Sequence, residues 1–266
     1  MNGNKVVILI PSYNANEELF KTLRSIDKKE HVDVLVVDDG SDIKPTEREL
    51  NENFLAQGNI FLLALEHNEG ITSALNSGLK WIYERPYLYI ARLDAGDFCK
   101  SERFAQQEAF LSNNPDYGIV GAWVNFIDEK YNFLFTLKHP TEDHDIRKVI
   151  YRYNPFVHPA TMFRVDRIKE INGYPKGYPA LEDWACFIKL IDNCKAYTIN
   201  AVLLDYVVST NSISTKKRFR QSLSKVKLLI NNFKFTVNNF VGLFKNIVLL
   251  LLPRSILTTL KKVVKS

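Results

Sequence analysis

The 266-residue sequence is poor in cysteine: Cys99, Cys186 and Cys194 are its only three. An odd number cannot pair completely, and no two stand in a Cys-x-x-Cys spacing. A disulfide framework and a thiolate zinc site are therefore disfavoured, and a reducing compartment fits. Acid is absent from one whole region. After Asp205 there is no Asp or Glu, while residues 216–266 carry twelve Lys or Arg. Taking those twelve from the total of 35 leaves 23 basic against 30 acidic residues, a net of −7 beneath an overall +5. An acidic body with a basic tail points to a polyanionic partner for the tail. Long apolar runs are missing too. The longest uncharged apolar run in the tail, Ile247 to Leu252, has six residues and is closed by Pro253, whereas a bilayer span needs ~20. The opening MNGNKVVILIPSYN has one lysine and five apolar residues before its proline, too short for a secretory signal, and reads as a first strand. No Gly-x-Gly-x-x-Gly follows that strand, which argues against a Rossmann dehydrogenase. Neither an internal repeat nor a low-complexity linker is present.

What the sequence does contain is an alternation of short apolar runs and helical patterns. Val6 to Ile10, Val32 to Val37, Ile60 to Leu65 and Tyr87 to Leu93 suit strands buried on both faces of a parallel sheet. Between them, Glu17 to Ile26 and Ile71 to Trp81 place apolar residues at helical spacing. A further helix, Arg103 to Leu111, ends before Asn113-Asn114-Pro115, and Tyr117 to Leu137 turns strand-rich and aromatic. Repeated strand–helix–strand units imply an α/β fold with a mostly parallel sheet and right-handed crossovers.

In such a sheet, ligands gather beyond the carboxyl ends of the strands. Three polar segments fall there: Ser12-Tyr13-Asn14, Asp38-Asp39-Gly40-Ser41 and Asp94-Ala95-Gly96-Asp97. Either acidic segment alone reads as a turn. Both together, each directly after a strand, read as a site suited to Mg²⁺ or Mn²⁺ and a phosphate-bearing ligand. Asn68-Glu69-Gly70 precedes a helix whose N-terminus suits a phosphate, although Asn and Gly are also plain capping residues. Arg92 suits either a phosphate or a structural ion pair with Asp94. Leu181-Glu182-Asp183-Trp184 reads as a helix start, with its acids either complementing the dipole or supplying a general base. His158 by itself reads as a buried, hydrogen-bonded histidine.

Taken together, ILIPSYNANEEL, VLVVDDGSD, NEGITSALNSGL, YIARLDAGD, NPFVHPATMFR, INGYP and LEDWACFIKL, in that order over about Val6 to Ser214, resemble glycosyltransferase family 2. The bacterial enzymes that build O-antigen or capsular polysaccharide are the most similar. The resemblance implies a GT-A fold: a Rossmann-like, mixed but mostly parallel sheet flanked by helices, here with a C-terminal helical extension. Residues 1–98 would form the nucleotide-sugar half, 99–215 the acceptor-binding and catalytic half, and 216–266 a membrane-associating tail. It places Pro11, Tyr13, Glu17, Asp38, Asp39 and Ser41 on the nucleotide. Asn68, Gly70, Asn76, Arg92 and Asp94 fall around the donor, and Asp94 and Asp97 on the metal and diphosphate motif. Asp183 falls on the catalytic base with Glu182 beside it, and His158 and Trp184 on the acceptor side. The implied reaction is inverting transfer of a sugar, with UDP the expected nucleotide, to a hydroxyl of a saccharide on a polyprenyl diphosphate. The alternatives are an inactive scaffold of the same fold held at the membrane, or a nucleotidyltransferase; PSYNANEE lacks the Gly-rich, basic phosphate loop of the latter. Two departures bear on the metal. The family motif often reads Asp-x-Asp-Asp, whereas Gly96 stands at its third position. The family's Tyr-Arg-x-His is replaced by Tyr206-Val207-Val208-Ser209.

The tail alternates apolar clusters, rich in phenylalanine, with lysines. It reads as an interfacial amphipathic segment drawn to an anionic membrane rather than to nucleic acid, which implies a cytoplasmic protein peripheral to the inner face of the cytoplasmic membrane. The competing expectation is that these helices pack on the body or form a homodimer.

Overall fold

The computed structural model of the protein describes residues 3–208 and 218–251. The 215/216 boundary and the tail beyond Leu251 lie outside the described residues. Strands β1 (Val6–Ser12), β2 (Asp33–Asp38), β3 (Ile60–Ala64) and β4 (Tyr89–Arg92) pair in parallel, in the order β3-β2-β1-β4. Every residue of β1, β2 and β4 is buried, as continuous apolar runs require. β3 departs from that expectation: its residues are only half-buried or exposed because it is the sheet's edge.

The connecting helices cover both faces. α1 (Asn16–Ser25) buries Leu19, Thr22 and Leu23, a single stripe at i, i+3 and i+4. α2 (Glu47–Asn53) carries a capping box between Thr46 and Glu49, a signal at Thr-x-x-Glu that the apolar-run reading passed over. α3 (Ile71–Tyr83) buries Ala74, Leu75, Leu79 and Ile82 against the sheet. α4 (Arg103–Asn113) begins without a local side-chain cap. Its first free amides, Phe104 N and Ala105 N, instead donate to the buried carboxylate of Glu30 at 2.9 and 3.0 Å.

The second half continues the same sheet. β5 (Phe98–Cys99), β6 (Tyr117–Ile127), β7 (Phe133–Leu137), β8 (Met162–Arg164) and β9 (Lys195–Val207) complete it in the order β4-β8-β6-β9-β5, with β7 alongside β6. β8 is antiparallel to β4 and to β6, while β6 and β9 run parallel over most of their length. Helices α5 (Asp143–Val149), α6 (Val165–Glu170) and α7 (Glu182–Asn193), with a single 3₁₀ turn at His158–Ala160, pack around it. α7 buries eight of its residues, so its first turn is fixed by the core beneath it.

The tail forms α8 (Arg218–Asn231) and α9 (Val237–Leu251). α8 inserts Leu228 and Leu229 into the main core. α9 is inverted relative to an ordinary surface helix. Its buried stripe is Asn239, Gly242 and Asn246, while Phe240, Phe244 and Leu251 are exposed, Phe244 at 71%. A Cβ at Gly242 would stand 1.9 Å from the carbonyl oxygen of Tyr151, so only glycine lets the helix backbone approach the body there.

Candidate active site

The sheet topology brings three separate chain segments to one edge. Ser12 ends β1, Asp38 ends β2, and Arg92 ends β4 with Asp94 and Asp97 in the turn after it. Asp38 is fully buried; its Oδ2 accepts from Ser41 N at 3.1 Å, and its Oδ1 has no partner. Ser41 Oγ in turn accepts from Asn14 N at 2.8 Å, tying the β1 and β2 turns together. Asp39 accepts from Glu69 N and Gly70 N, each at 2.9 Å. Two amides of the 68–70 turn, expected to face a phosphate, are thus already held by a carboxylate. Asn68, Tyr13 and Glu17 stand exposed around this edge, Pro11 is buried in β1, and Gly70 is half-buried at the start of α3.

Arg92 is the hub of the central part. Its side chain is fully buried and donates to Asp94 Oδ1 at 2.5 Å, to Leu93 O at 3.2 Å, to Leu9 O, and from Nε to His158 Nε2 at 3.2 Å. Of the two readings of Arg92 from the sequence, the ion pair with Asp94 is the one the structure holds. Because His158 Nε2 accepts from Arg92, the imidazole is neutral with its proton on Nδ1. Burial and the Arg92 charge hold its pKa well below the usual value. Tyr174 Oη sits 2.8 Å from the same Nε2, and burial pushes the phenol well up. Asn76, assigned to the donor from the sequence, instead clamps Tyr174 by donating to its carbonyl and accepting from its amide, both at 2.9 Å. Behind Arg92, the buried Arg103 donates to the carbonyls of Arg92 and Pro159 at 2.7 and 2.5 Å.

The acidic turn after β4 is built for strain relief at Gly96, whose φ of +105° few L residues adopt. Thr22 pins the turn, accepting from Gly96 N at 2.8 Å and donating to Asp97 O at 2.9 Å. Asp97 is buried; its Oδ1 accepts from Val207 N at 2.9 Å, while Oδ2 has no partner. Burial, then the Asp94 charge, raise its pKa well above the carboxylate range. An orphaned buried carboxylate oxygen behind the half-exposed Asp94 is a donor set that a hard divalent cation fits. Asp94 would be the ligand and Asp97 its backing, with the remaining oxygens supplied by a diphosphate. Among the described residues no cluster of three or more His, Cys, Asp or Glu is placed to hold an ion.

At the start of α7, Asp183 Oδ1 accepts from Trp184 N at 2.7 Å and Oδ2 from Asn154 Nδ2 at 2.8 Å. The amide of Asn154 is oriented by Phe156 N on its Oδ1 at 3.3 Å. Burial raises Asp183 to about 6 and the Asp94 charge adds to it, against the lowering by its two N–H donors. Burial and Asp183 itself raise Glu182 to about 7, and Glu182 Oε2 has no partner. Asp94, Asp97 and Asp183 all act on the phenol of Tyr206, which burial chiefly raises. The acids from 94, 97 and 183 therefore share one electrostatic neighbourhood, while Asp39 braces the loop at its rim. Trp184, expected on the acceptor side, is buried and donates from Nε1 to Ile150 O at 2.7 Å, leaving only a wall of indole beside Asp183. There a pocket of about 340 Å³ opens between the body and the tail helices. Tyr174, Tyr206 and Asn154 were not assigned from the sequence. All three stand in stretches the motifs cover, Asn154 in NPFVHPATMFR, Tyr174 in INGYP and Tyr206 in Tyr206-Val207-Val208-Ser209.

The profile of glycosyl transferase family 2 matches residues 7–171. The chain belongs to glycosyl transferase family 2. Among its relatives, the Escherichia coli UDP-Gal:alpha-D-GlcNAc-diphosphoundecaprenol beta-1,3-galactosyltransferase is 26% identical over 97% of this chain and 94% of its own length. The E. coli O-antigen biosynthesis glycosyltransferase WbnJ is 24% identical over 79% of this chain and 81% of its own. Among solved structures, Staphylococcus aureus TarS 1-349 in complex with UDP-GlcNAc superposes with a TM-score of 0.67, covering 91% of this chain and 71% of that one at 15% identity. The mannosyltransferase PcManGT from Pyrobaculum calidifontis, in complex with GDP-Man and Mn2+, gives 0.64 over 94% and 70% at 17% identity. The fold is that of the GT-A glycosyltransferases, and the family-2 chain described here is a glycosyltransferase.

Proposed function

We propose that this glycosyltransferase moves a sugar, with inversion, from a UDP-sugar to a hydroxyl of a diphosphate-linked lipid saccharide in surface-polysaccharide assembly. The observation that carries the reading is the Asp183 carboxylate: raised towards neutrality, aimed by Asn154 and the Trp184 amide, and sharing the field of Asp94. A base with a pKa near the working pH is the efficient one. Asp183 takes the acceptor hydroxyl's proton as that oxygen bonds to the anomeric carbon. The bond from that carbon to the diphosphate breaks on the opposite face, and its electron pair leaves with the nucleoside diphosphate. Arg92 holds Asp94 in place at the leaving-group side. A divalent cation, when bound, would neutralise charge developing on the leaving diphosphate. UDP and a lipid diphosphate are favoured because the E. coli galactosyltransferase, similar along nearly its full length, is named for a reaction that uses both.

The membrane is the proposed location of the acceptor. Support comes from the outward phenylalanines of α9 and the acid-free charge of the tail, which suit an anionic interface. No helix among the described residues is long and apolar enough to cross a membrane.

The test is release of nucleoside diphosphate from a panel of UDP-, GDP- and dTDP-sugars with Mn²⁺ or Mg²⁺. The wild type should release UDP, and Asp183→Asn should lower the rate by about 10²–10⁴-fold while UDP still raises the variant's thermal stability. A wild type that releases no nucleotide from any donor is a scaffold, and the proposal fails.

A further inference from the structure

We propose that β7 is a second membrane contact, on the body itself, which lays its outer edge on the interface of an anionic bilayer. This rests on the membrane location proposed for the acceptor, but on residues the tail does not share. Among the described residues β7 pairs only with β6. From Tyr131 to Leu137 the chain carries no charge, and Lys130 and Lys138 close that run on either side. Phe133, Leu134 and Phe135 are exposed, at 61%, 47% and 48%. Successive strand residues point to opposite faces, so this apolar surface lies on both sides of one edge. No proline or charge within the run guards the edge, as free edges ordinarily require. A lipid interface takes both faces of such a strand, and lysines at its two ends suit lipid phosphates. Lys138 is steadied above the Trp123 ring, 4.8 Å from its centroid. The free N–H and C=O groups of the edge need partners, so the contact stops at headgroup level. A second copy fits less well: antiparallel pairing over the whole uncharged run sets Lys130 of each copy against Lys138 of the other.

The strand is presented rigidly. In the turn before it, the Asp128 carboxylate accepts from Lys130 N, Asn132 N and Asn132 Nδ2 at 2.9, 2.8 and 3.0 Å. Tyr131 is held at a φ of +67°, its ring edge-on to Phe98 with centroids 5.4 Å apart. A tyrosine kept in left-handed backbone is strained, and such strain collects at functional positions. Asp128 and Glu129 keep the tip of this turn in water, so the strand meets lipid edge-on rather than tip-first. The contact also leads to the site. Phe135 stacks on Phe126 with centroids 4.7 Å apart, and Phe126 meets Tyr206 at 4.9 Å. The β5–β9 register pairs Phe98 with Asp205, and one further step brings Asp97 beside Tyr206. Val207 N, donating to Asp97 Oδ1, fixes that step. A row of rings thus runs from the lipid-facing edge to the acidic turn. β7 sets the proposed transfer site at the height where the diphosphate of a lipid-linked saccharide lies.

The test uses the full chain with an environment-sensitive nitrobenzoxadiazole dye on Leu134→Cys, Leu55→Cys or Phe244→Cys, one at a time. The three native cysteines are buried, so the introduced thiol takes the label. With phosphatidylglycerol vesicles the Leu134→Cys dye should shift to the blue, and a spin label near the headgroups should quench it more than one at the chain ends. Leu55 is exposed between α2 and the opposite edge strand β3, and its dye should not respond. Phe133→Ser/Leu134→Ser should weaken vesicle binding by at least about ten-fold, and Phe133→Leu/Leu134→Phe should keep it. Circular dichroism checks that each variant folds. A silent Leu134→Cys dye beside a responding Phe244→Cys dye would overturn the β7 contact and leave the tail's membrane reading standing. The reverse pattern would uphold β7 and remove the tail. Equal responses at Leu134→Cys and Leu55→Cys, or a blue shift that grows with protein concentration without lipid, would also overturn it, the latter in favour of a second copy. Failure of the transferase reading shows separately, as absent UDP release by the wild type.

Discussion

At the scale of single residues, Asp183 combines a structural disadvantage with the chemical use proposed for it. Its folded pKa of about 6, against 3.8 for the free side chain, means that above pH 6 the fold carries up to about 3 kcal/mol for keeping a buried carboxylate ionised. The sign follows from the direction of the shift: the folded state holds its proton more tightly, so this group's contribution to stability is present at low pH and is lost as pH rises through about 6. Asp183→Asn should therefore melt above the wild type at pH 8, by roughly 2–4 °C for each kcal/mol released, and the gap should narrow below pH 6 and close towards pH 4. Activity runs the other way. kcat/KM should rise through an apparent pKa of about 6 and level off above it, because only the carboxylate accepts the hydroxyl proton. A flat profile from pH 5 to 8 would remove Asp183 from the role of base. His158 and Asn76 carry a different lesson. Each was assigned to a substrate from its motif, yet one is locked neutral between Arg92 and Tyr174, and the other is spent on the Tyr174 backbone. Both position the site by holding its walls.

At the scale of elements, the apolar runs marked the four parallel strands and the periodic segments α1, α3 and α4 closely. Those signals are local and need no partner to be read. β5, β8 and β9 were not marked, because each depends on a long-range partner: β8 is a three-residue strand between β4 and β6. α4 starts at Arg103 as its pattern implied, but its cap was not legible, since it is Glu30, more than seventy residues upstream. α9 is the element whose apolar face turns outward, with Asn239, Gly242 and Asn246 buried beneath it. Gly242→Val should displace it, because the added Cβ meets the Tyr151 carbonyl at 1.9 Å. Limited proteolysis should then cut α9 at least about ten-fold faster, as expected for an element whose local opening free energy has fallen, while the body stays intact. Equal cleavage of the variant and the wild type would mean that α9 is not docked through this contact.

For the whole molecule, the charge split becomes a division of labour. The acidic body carries the strand-end edge proposed for transfer, and the basic tail packs Leu228 and Leu229 inward while turning phenylalanines outward. Sedimentation with vesicles should show binding to phosphatidylglycerol and little to phosphatidylcholine, weakening as salt is raised, with each basic residue near the surface worth about 1 kcal/mol. Phe240→Ser/Phe244→Ser should reduce binding even at low salt. A tail that leaves vesicles free but joins two copies of the chain would show as a concentration-dependent dimer, and the membrane reading would then be lost.

The amino-acid sequence by itself determined the α/β alternation, the family, the charge asymmetry and the set of acids that follow the strands, because each is carried by neighbouring residues or by composition. Only the tertiary structure decided which of those acids meet. Asp39 spends its oxygens on a loop, Asp97 is sealed beneath Val207, and Asp94 and Asp183 face each other's field from segments almost ninety positions apart. Burial and through-space charge set what a carboxylate can do, and neither is a property of its neighbours in the chain.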